Sequence, residues 1–144
     1  MQVRLTSNGK EIERLLKKRG KALSKSVRRA LSRTALAGIQ IIEERTAKGK
    51  SYKGGSFKPY SKVPDGGYFA WRKEQGLTTK PNLSVSGNML SSLTSSVDNK
   101  AATIFFSRGT ESKKAAMNNA TRPFFGFSNL EEKALGKVFF RTLK

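Results

Sequence analysis

Neither cysteine nor histidine occurs among the 144 residues of the chain. Without Cys there is no disulfide framework, no thiolate metal site and no thiol nucleophile. Without His there is no imidazole base, no Ser-His-Asp arrangement and almost no route to a zinc site. Acidic residues are scarce as well. Only 10 Asp plus Glu stand against 29 Lys plus Arg, and just two of the acids, Asp65 and Asp98, are aspartates. Carboxylate sites for hard cations are poorly supplied by such a composition. No apolar run approaches the roughly 20 residues of a membrane helix. The first residues, Met1–Thr6, lack the apolar stretch of a secretory signal. Enzyme, membrane and secreted readings therefore start badly, and synthesis and use in a cytoplasm are expected.

What the chain has is positive charge, a net +19 at neutral pH. A field of that sign attracts nucleic acid, anionic membrane or an acidic protein surface, and says nothing about fold. The charge is uneven. Residues 1–62 carry 17 basic and 4 acidic side chains, a net of +13, and the remaining 82 residues carry only +6. Nine basic residues lie between Arg14 and Arg33, with no acid from there until Glu43. On a helix, Arg14, Lys18, Lys21, Lys25 and Arg28 follow one face opposite the apolar stripe. Like charges at that spacing repel by a few tenths of a kcal/mol per pair. Solvated faces normally interleave signs, so this one predicts an anionic counterpart, either phosphate or an acidic protein surface. The plainer reading is a solvated helix whose Lys stems cover apolar surface.

The length fits one domain over residues 1–144. Gln2–Thr6 alternates polar and apolar, as a short strand does, with Val3 and Leu5 inward. Ser7 or Asn8 is placed to cap a helix, with Glu11 and Glu13 near its positive end. Ile12, Leu16, Leu23, Val27, Leu31, Gly38 and Ile42, widened by Leu15, Ala30 and Ile41, recur at helical spacing to about Ala47. Gly20 interrupts the pattern, which predicts a short helix to about Arg19 and a long one from about Lys21.

Residues 48–88 differ in kind, with seven Gly and three Pro punctuating the stretch and six aromatics set among them. Disordered linkers are depleted in aromatics. A long loop inside a compact domain is suspect unless it has a task. The segment is expected to be an extended loop that orders against a partner. Beyond it, Gly87-Asn88-Met89-Leu90 opens a helical turn. Leu93–Val97 and Ala101–Ser107 flank Asp98-Asn99-Lys100, a hairpin signal. Glu111–Ala120 is a weak helix. Ser128 followed by Glu131 is a capping box that starts a last helix to about Leu143, with Leu130, Ala134, Leu135, Val138 and Leu143 inward. The predicted class is α+β: long N-terminal helices and a C-terminal helix packed on a small antiparallel sheet.

Two enzyme-like patterns are weak. Pro64-Asp65 and Glu111-Ser112-Lys113 superficially match a metal-nuclease constellation of two carboxylates and a lysine. Asp65 lies in a Gly-rich loop and Glu111 beyond a strand, and such short matches are frequent by chance. Lys53-Gly54-Gly55-Ser56-Phe57-Lys58 lacks the spacing and the strand-to-helix context of a P-loop. Aromatics interleaved with Lys here suit either base stacking or protein–protein contact.

Read together, "KGGSFKPYS" (53–61), "WRKEQG" (71–76), "LSVSGNMLSSL" (83–93), a hairpin and "RPFFGFS" (122–128) before a final helix carry a resemblance. The chain resembles the tail-completion and virion-morphogenesis proteins of tailed bacteriophages and their relatives at the head–tail neck. The shared order of the segments, over roughly residues 10–144, carries the likeness more than any one segment; "RPFFGFS" is the most specific. In one respect the chain departs: many relatives have a His-containing segment where this one reads "GTESKKAAMNNAT". The resemblance implies an α+β subunit that assembles into a homo-oligomeric ring, a hexamer in expectation, capping the tail tube or joining it to the head connector. It implies partners in the tail-tube and neck proteins, DNA passing through the channel as a further contact, no membrane, no metal, no cofactor and no catalysis. It places the protein in the virion, assembled in the host cytoplasm.

In that role Phe57, Tyr60, Tyr68, Trp71, Arg122, Phe124 and Phe125 are the expected subunit contacts. Phe124 and Phe125 are adjacent, so one is expected to pack inward and the other toward a neighbour. The competing reading is a cytoplasmic, sequence-independent nucleic-acid-binding protein, resting on charge alone.

Overall fold

The computed structural model describes residues 1–6, 9–63 and 66–143, with residues 9, 11, 12, 15, 16, 19, 21 and 22 described in backbone only. The proposed cap Ser7 or Asn8, the aspartate Asp65, and the side chains of Glu11, Ile12, Leu15, Leu16 and Lys21 lie outside that description.

The fold is α+β. Strand β1 (Gln2–Thr6) pairs antiparallel with β3 (Ala101–Phe106), which pairs antiparallel with β2 (Leu93–Val97), giving the order β1-β3-β2. Gln2 faces Phe105 across the first pair, and Leu93 faces Phe106 across the second. The β2–β3 turn is the expected one. The Asp98 carboxylate accepts the Lys100 and Ala101 N–H groups at 2.7 and 2.8 Å. Those two bonds, with Arg4 and then Arg28 nearby, hold the Asp98 carboxyl below the usual range against a small opposing effect of burial. Val3 and Leu5 are half-buried while their neighbours in β1 are exposed, as the alternation predicts.

Helix α1 runs from Gly9 to Ala47 and breaks at Gly20, whose φ of 67° and ψ of −154° are not helical. Only glycine adopts that geometry cheaply, so the sequence break is a real bend between two helices. In the second part Val27, Ala30, Leu31, Ala35 and Ile42 are buried, at the spacing of one helical stripe. This stripe covers the sheet face made by Ala102, Ile104 and Phe106. Gly38 lets the layers close up: a Cβ there would stand 3.0 Å from the side chains of both Ile104 and Phe127.

Residues 48–88 are not one extended loop. Helix α2 (Tyr68–Glu74) forms between Gly67 and Gly76, and a bridge pairs Lys50 with Ser56. The glycines bound a short element here rather than exclude one. The segment orders against its own chain, with Phe57 and Tyr60 buried in it. A further helical turn, α3 (Asn88–Ser91), and helix α4 (Gly109–Thr121) follow at the places expected.

Helix α5 (Asn129–Thr142) opens with the predicted capping box: Ser128 Oγ accepts the Glu131 N–H, and Glu131 accepts the Ser128 N–H. Its inner face is Leu135 and Phe139, with Val138 and Leu143 half-buried. Leu130 is 78% exposed and Ala134 is exposed, against expectation. Five residues before Leu135, Leu130 is turned about 140° around the axis and cannot share its face. No helix among the described residues is long and apolar enough to cross a membrane.

Candidate functional site

The four motif segments meet at one corner of the molecule, and arginines tie them together. Arg122, from "RPFFGFS", donates from Nε to the Lys58 carbonyl at 2.8 Å and from Nη2 to the Pro59 carbonyl at 3.1 Å. Its guanidinium also lies 4.8 Å from the Tyr60 ring centre. Arg72, from "WRKEQG", sits 4.9 Å from the same ring.

Arg72 is the unexpected member, because it is 1% exposed. Its Nε donates to the Thr78 carbonyl at 2.7 Å, and its Nη2 to the Ser84 carbonyl at 2.9 Å and to Asn82 Oδ1 at 3.2 Å. Nη1 reaches the Tyr68 hydroxyl at 3.3 Å. Among the described residues no carboxylate pairs with it. A buried guanidinium is tolerable only when its fork is filled, and here carbonyls, an amide and two tyrosine rings fill it. Arg72 thereby fixes the path of residues 78–84 and the pose of the aromatics. Tyr60 meets Tyr68 edge-on at 4.9 Å, and Tyr68 stacks on Trp71 at 5.5 Å with an interplanar angle of 16°. Tyr68 and Trp71 remain 42% and 40% exposed.

The expected contact residues thus divide. Tyr68 and Trp71 present a rigid aromatic pair at the surface. Phe57, Tyr60, Phe124 and Phe125, expected as subunit contacts, are instead buried within the chain itself. Phe124 and Phe125 both point inward, each within 6.3 Å of the Phe106 ring. Small neighbours, Ala30, Ala35, Ala102 and Ala115, leave the core room for both rings. The Asn119 Oδ1 accepts both of their N–H groups at 3.0 and 2.9 Å, which sets the turn. Arg122 is half-buried and works mainly inside the chain. Gly126 lies against Tyr52, where a Cβ would come within 2.7 Å of the ring.

Beside the aromatic corner lies a cleft of about 500 Å³, walled by Tyr60, Tyr68 and the Leu83–Met89 turn on one side and by Glu111, Lys114 and Asn118 of α4 on the other, with Arg122 at its rim. Glu111 is buried; its Oε1 accepts from Lys114 Nζ at 2.9 Å, and its Oε2 has no hydrogen-bond partner among the described residues. Lys113, the lysine of the nuclease-like pattern, is exposed on α4, and Asp65 lies outside the described residues.

The basic face is built differently from the expectation. Arg14, Lys18, Lys25 and Arg28 are exposed, but the Gly20 bend places the first two and the last two on separate helices. The bend interrupts the helical phase that would carry one stripe through all four. Acids of the fold also reach the region: Glu13 pairs with Lys100 at 2.6 Å, and Asp98 stands 4.0 Å from Arg4.

Arg72 and Arg45 escaped the sequence reading. Arg72 had one usable signal, an arginine inside a cluster of aromatics. Arg45 had none, because its partners lie in distant segments. The chain matches no family model, no curated protein and no solved structure.

Proposed function

We infer that the protein is a non-catalytic structural subunit of the neck or tail terminus of a tailed bacteriophage. It forms a homo-oligomeric ring, hexameric in scale, that caps the tail tube or joins it to the head connector. Assembly takes place in the host cytoplasm and the product resides in the virion. The motif order supports the reading, and so does the way the motif segments are used. One observation carries it: Tyr68 and Trp71 are stacked, held from below by a buried Arg72, and left bare at the surface. Rigid aromatics that lose little freedom on contact are what protein–protein hot spots are made of. A solitary monomer gains nothing from preorganising them.

Light scattering on chromatographed protein tests this. The wild-type chain is expected at several times its 15.9 kDa mass, at high concentration or with a tail partner. Trp71→Ala is expected as a folded monomer. A wild type that stays monomeric under all these conditions and binds duplex DNA tightly would support the nucleic-acid reading instead.

A further inference from the structure

The geometry points to the cleft beside α4 as the docking site for an extended, acidic segment of a different protein. This deepens the assembly reading, on which it rests for the source of the segment, by naming the chemistry of one neighbour. Glu111 supplies the first half of the argument. A buried carboxylate oxygen with no donor is costly, and an occupant that draws it toward the cleft and brings an N–H recovers that cost. Lys114 already neutralises the other oxygen at 2.9 Å, so the occupant needs a neutral donor rather than a second cation. A backbone amide is such a donor.

Shape supplies the second half. Glu111, Lys114 and Asn118 share one face of α4 and span eight residues, about 10 Å along the axis from first to last. That is the length of about three residues of extended chain. Along it the wall presents an acceptor, then a cationic donor, then an amide, which suits the alternating N–H and C=O groups of a strand. The opposite wall offers Leu83, Val85, Met89 and Tyr68 to an apolar side chain. Lys114 and Arg122 bring two positive charges against the one of Glu111, so acidic side chains at the rim are favoured. A second copy of this chain is a poor donor of them. Its 10 acids serve a +19 protein, and Glu13, Asp98, Glu111 and Glu131 are already bonded within it.

Trp71, the single tryptophan, stacks on Tyr68 of the cleft wall and reports on occupancy. The full chain is titrated with the blocked peptide acetyl-Ala-Glu-Val-Glu-Ala-amide while Trp71 emission is followed. A saturable change is expected, and Glu111→Gln weakens it about fivefold or more by removing the charged acceptor. General attraction to a basic surface has the opposite sign: losing a negative charge would tighten the peptide. Lys114→Gln, an exposed change, weakens the Glu peptide but not its Gln counterpart, and Lys18→Gln with Lys25→Gln changes neither. No saturable change, or tighter binding by Glu111→Gln, overturns the proposal. Light scattering on the same samples separates the two readings. A wild type that assembles yet ignores the peptide overturns the cleft alone. A monomer that binds it as described supports the cleft and removes the ring. Assembly of the wild type that by itself shuts the peptide out makes a second copy the occupant and overturns the choice of a different protein.

Discussion

Arg45 and Glu131 stand 86 residues apart in sequence and 2.6 Å apart in space. The pair joins the last turn of α1 to the first turn of α5. The same guanidinium donates to the carbonyls of Phe124 and Gly126, so the "RPFFGFS" turn is clamped between the two helices. Glu131 also accepts the Ser128 N–H at 2.8 Å, which makes one carboxylate serve both cap and clamp.

This arrangement sets an acid limit on stability. Burial alone would raise the Glu131 carboxyl, but the Ser128 N–H and the Arg45 guanidinium outweigh it and hold the group below the 4.5 of an ordinary glutamate. The unfolded chain then takes up this proton first as pH falls. The contribution is full above the unfolded value and is lost as pH drops through the lower folded value. Glu131→Gln is expected to lower stability by about 1–3 kcal/mol at neutral pH. It should also make the melting temperature less sensitive to acid below about pH 4.5. Thermal melts of the two proteins across that range check both points.

Arg72 is expected to be irreplaceable by lysine. The substitution keeps the charge but loses the fork that holds Thr78, Asn82 and Ser84, and leaves an ammonium in a site shaped for a plane. A cost of about 2–4 kcal/mol is expected from the broken buried network. Amide exchange between residues 77 and 84 should accelerate, while that of β3 changes only with global stability.

Two glycines separate conformational cost from crowding. Gly49 ends α1 at φ 67°, and a Cβ there would stand 2.6 Å from the Pro81 carbonyl oxygen. Gly54 has φ 99° and open space around it. Gly54→Ala is expected to cost about 1 kcal/mol, the left-handed penalty alone. Gly49→Ala should cost clearly more, because the clash is with backbone. Equal chemical-denaturation midpoints for the two variants would refute the close approach of the two segments.

The exposed basic residues give a salt-dependent prediction. Any duplex binding by the isolated chain is expected to weaken with a log–log slope of about −0.9 per phosphate neutralised. Replacing Lys18, Lys25 and Arg28 by Gln should flatten the slope and leave the unfolding free energy within about 1 kcal/mol of wild type, since surface changes are mild. A triple variant with an unchanged slope that fails to join its assembly partner assigns the residues to an acidic protein surface.

Much of the fold was legible because its signals are local. The Asp98 turn, the Ser128–Glu131 box and the Gly20 break each act within a few residues, and each appears where the sequence places it. The stripe from Val27 to Ile42 is equally local. What escaped depends on distant partners. The burial of Arg72 follows from carbonyls that only the folded loop presents, and the inward turn of both Phe124 and Phe125 follows from alanines on α1, β3 and α4. Leu130 misled because hydrophobicity alone does not fix helical phase. Of the expected contacts, Tyr68 and Trp71 remain at the surface, and the aromatic-rich composition could not separate them from the buried Phe57 and Tyr60.

Residence in the finished particle is the expectation on which the others depend. Quantitative mass spectrometry of purified tailed particles, assembled in cells that carry the gene, tests it most directly. A fixed, small number of copies per particle, retained when free protein is removed and lost from particles made with Trp71→Ala, is the predicted result. Absence of the chain from finished particles, with the whole pool recovered free or on nucleic acid in the lysate, would contradict it.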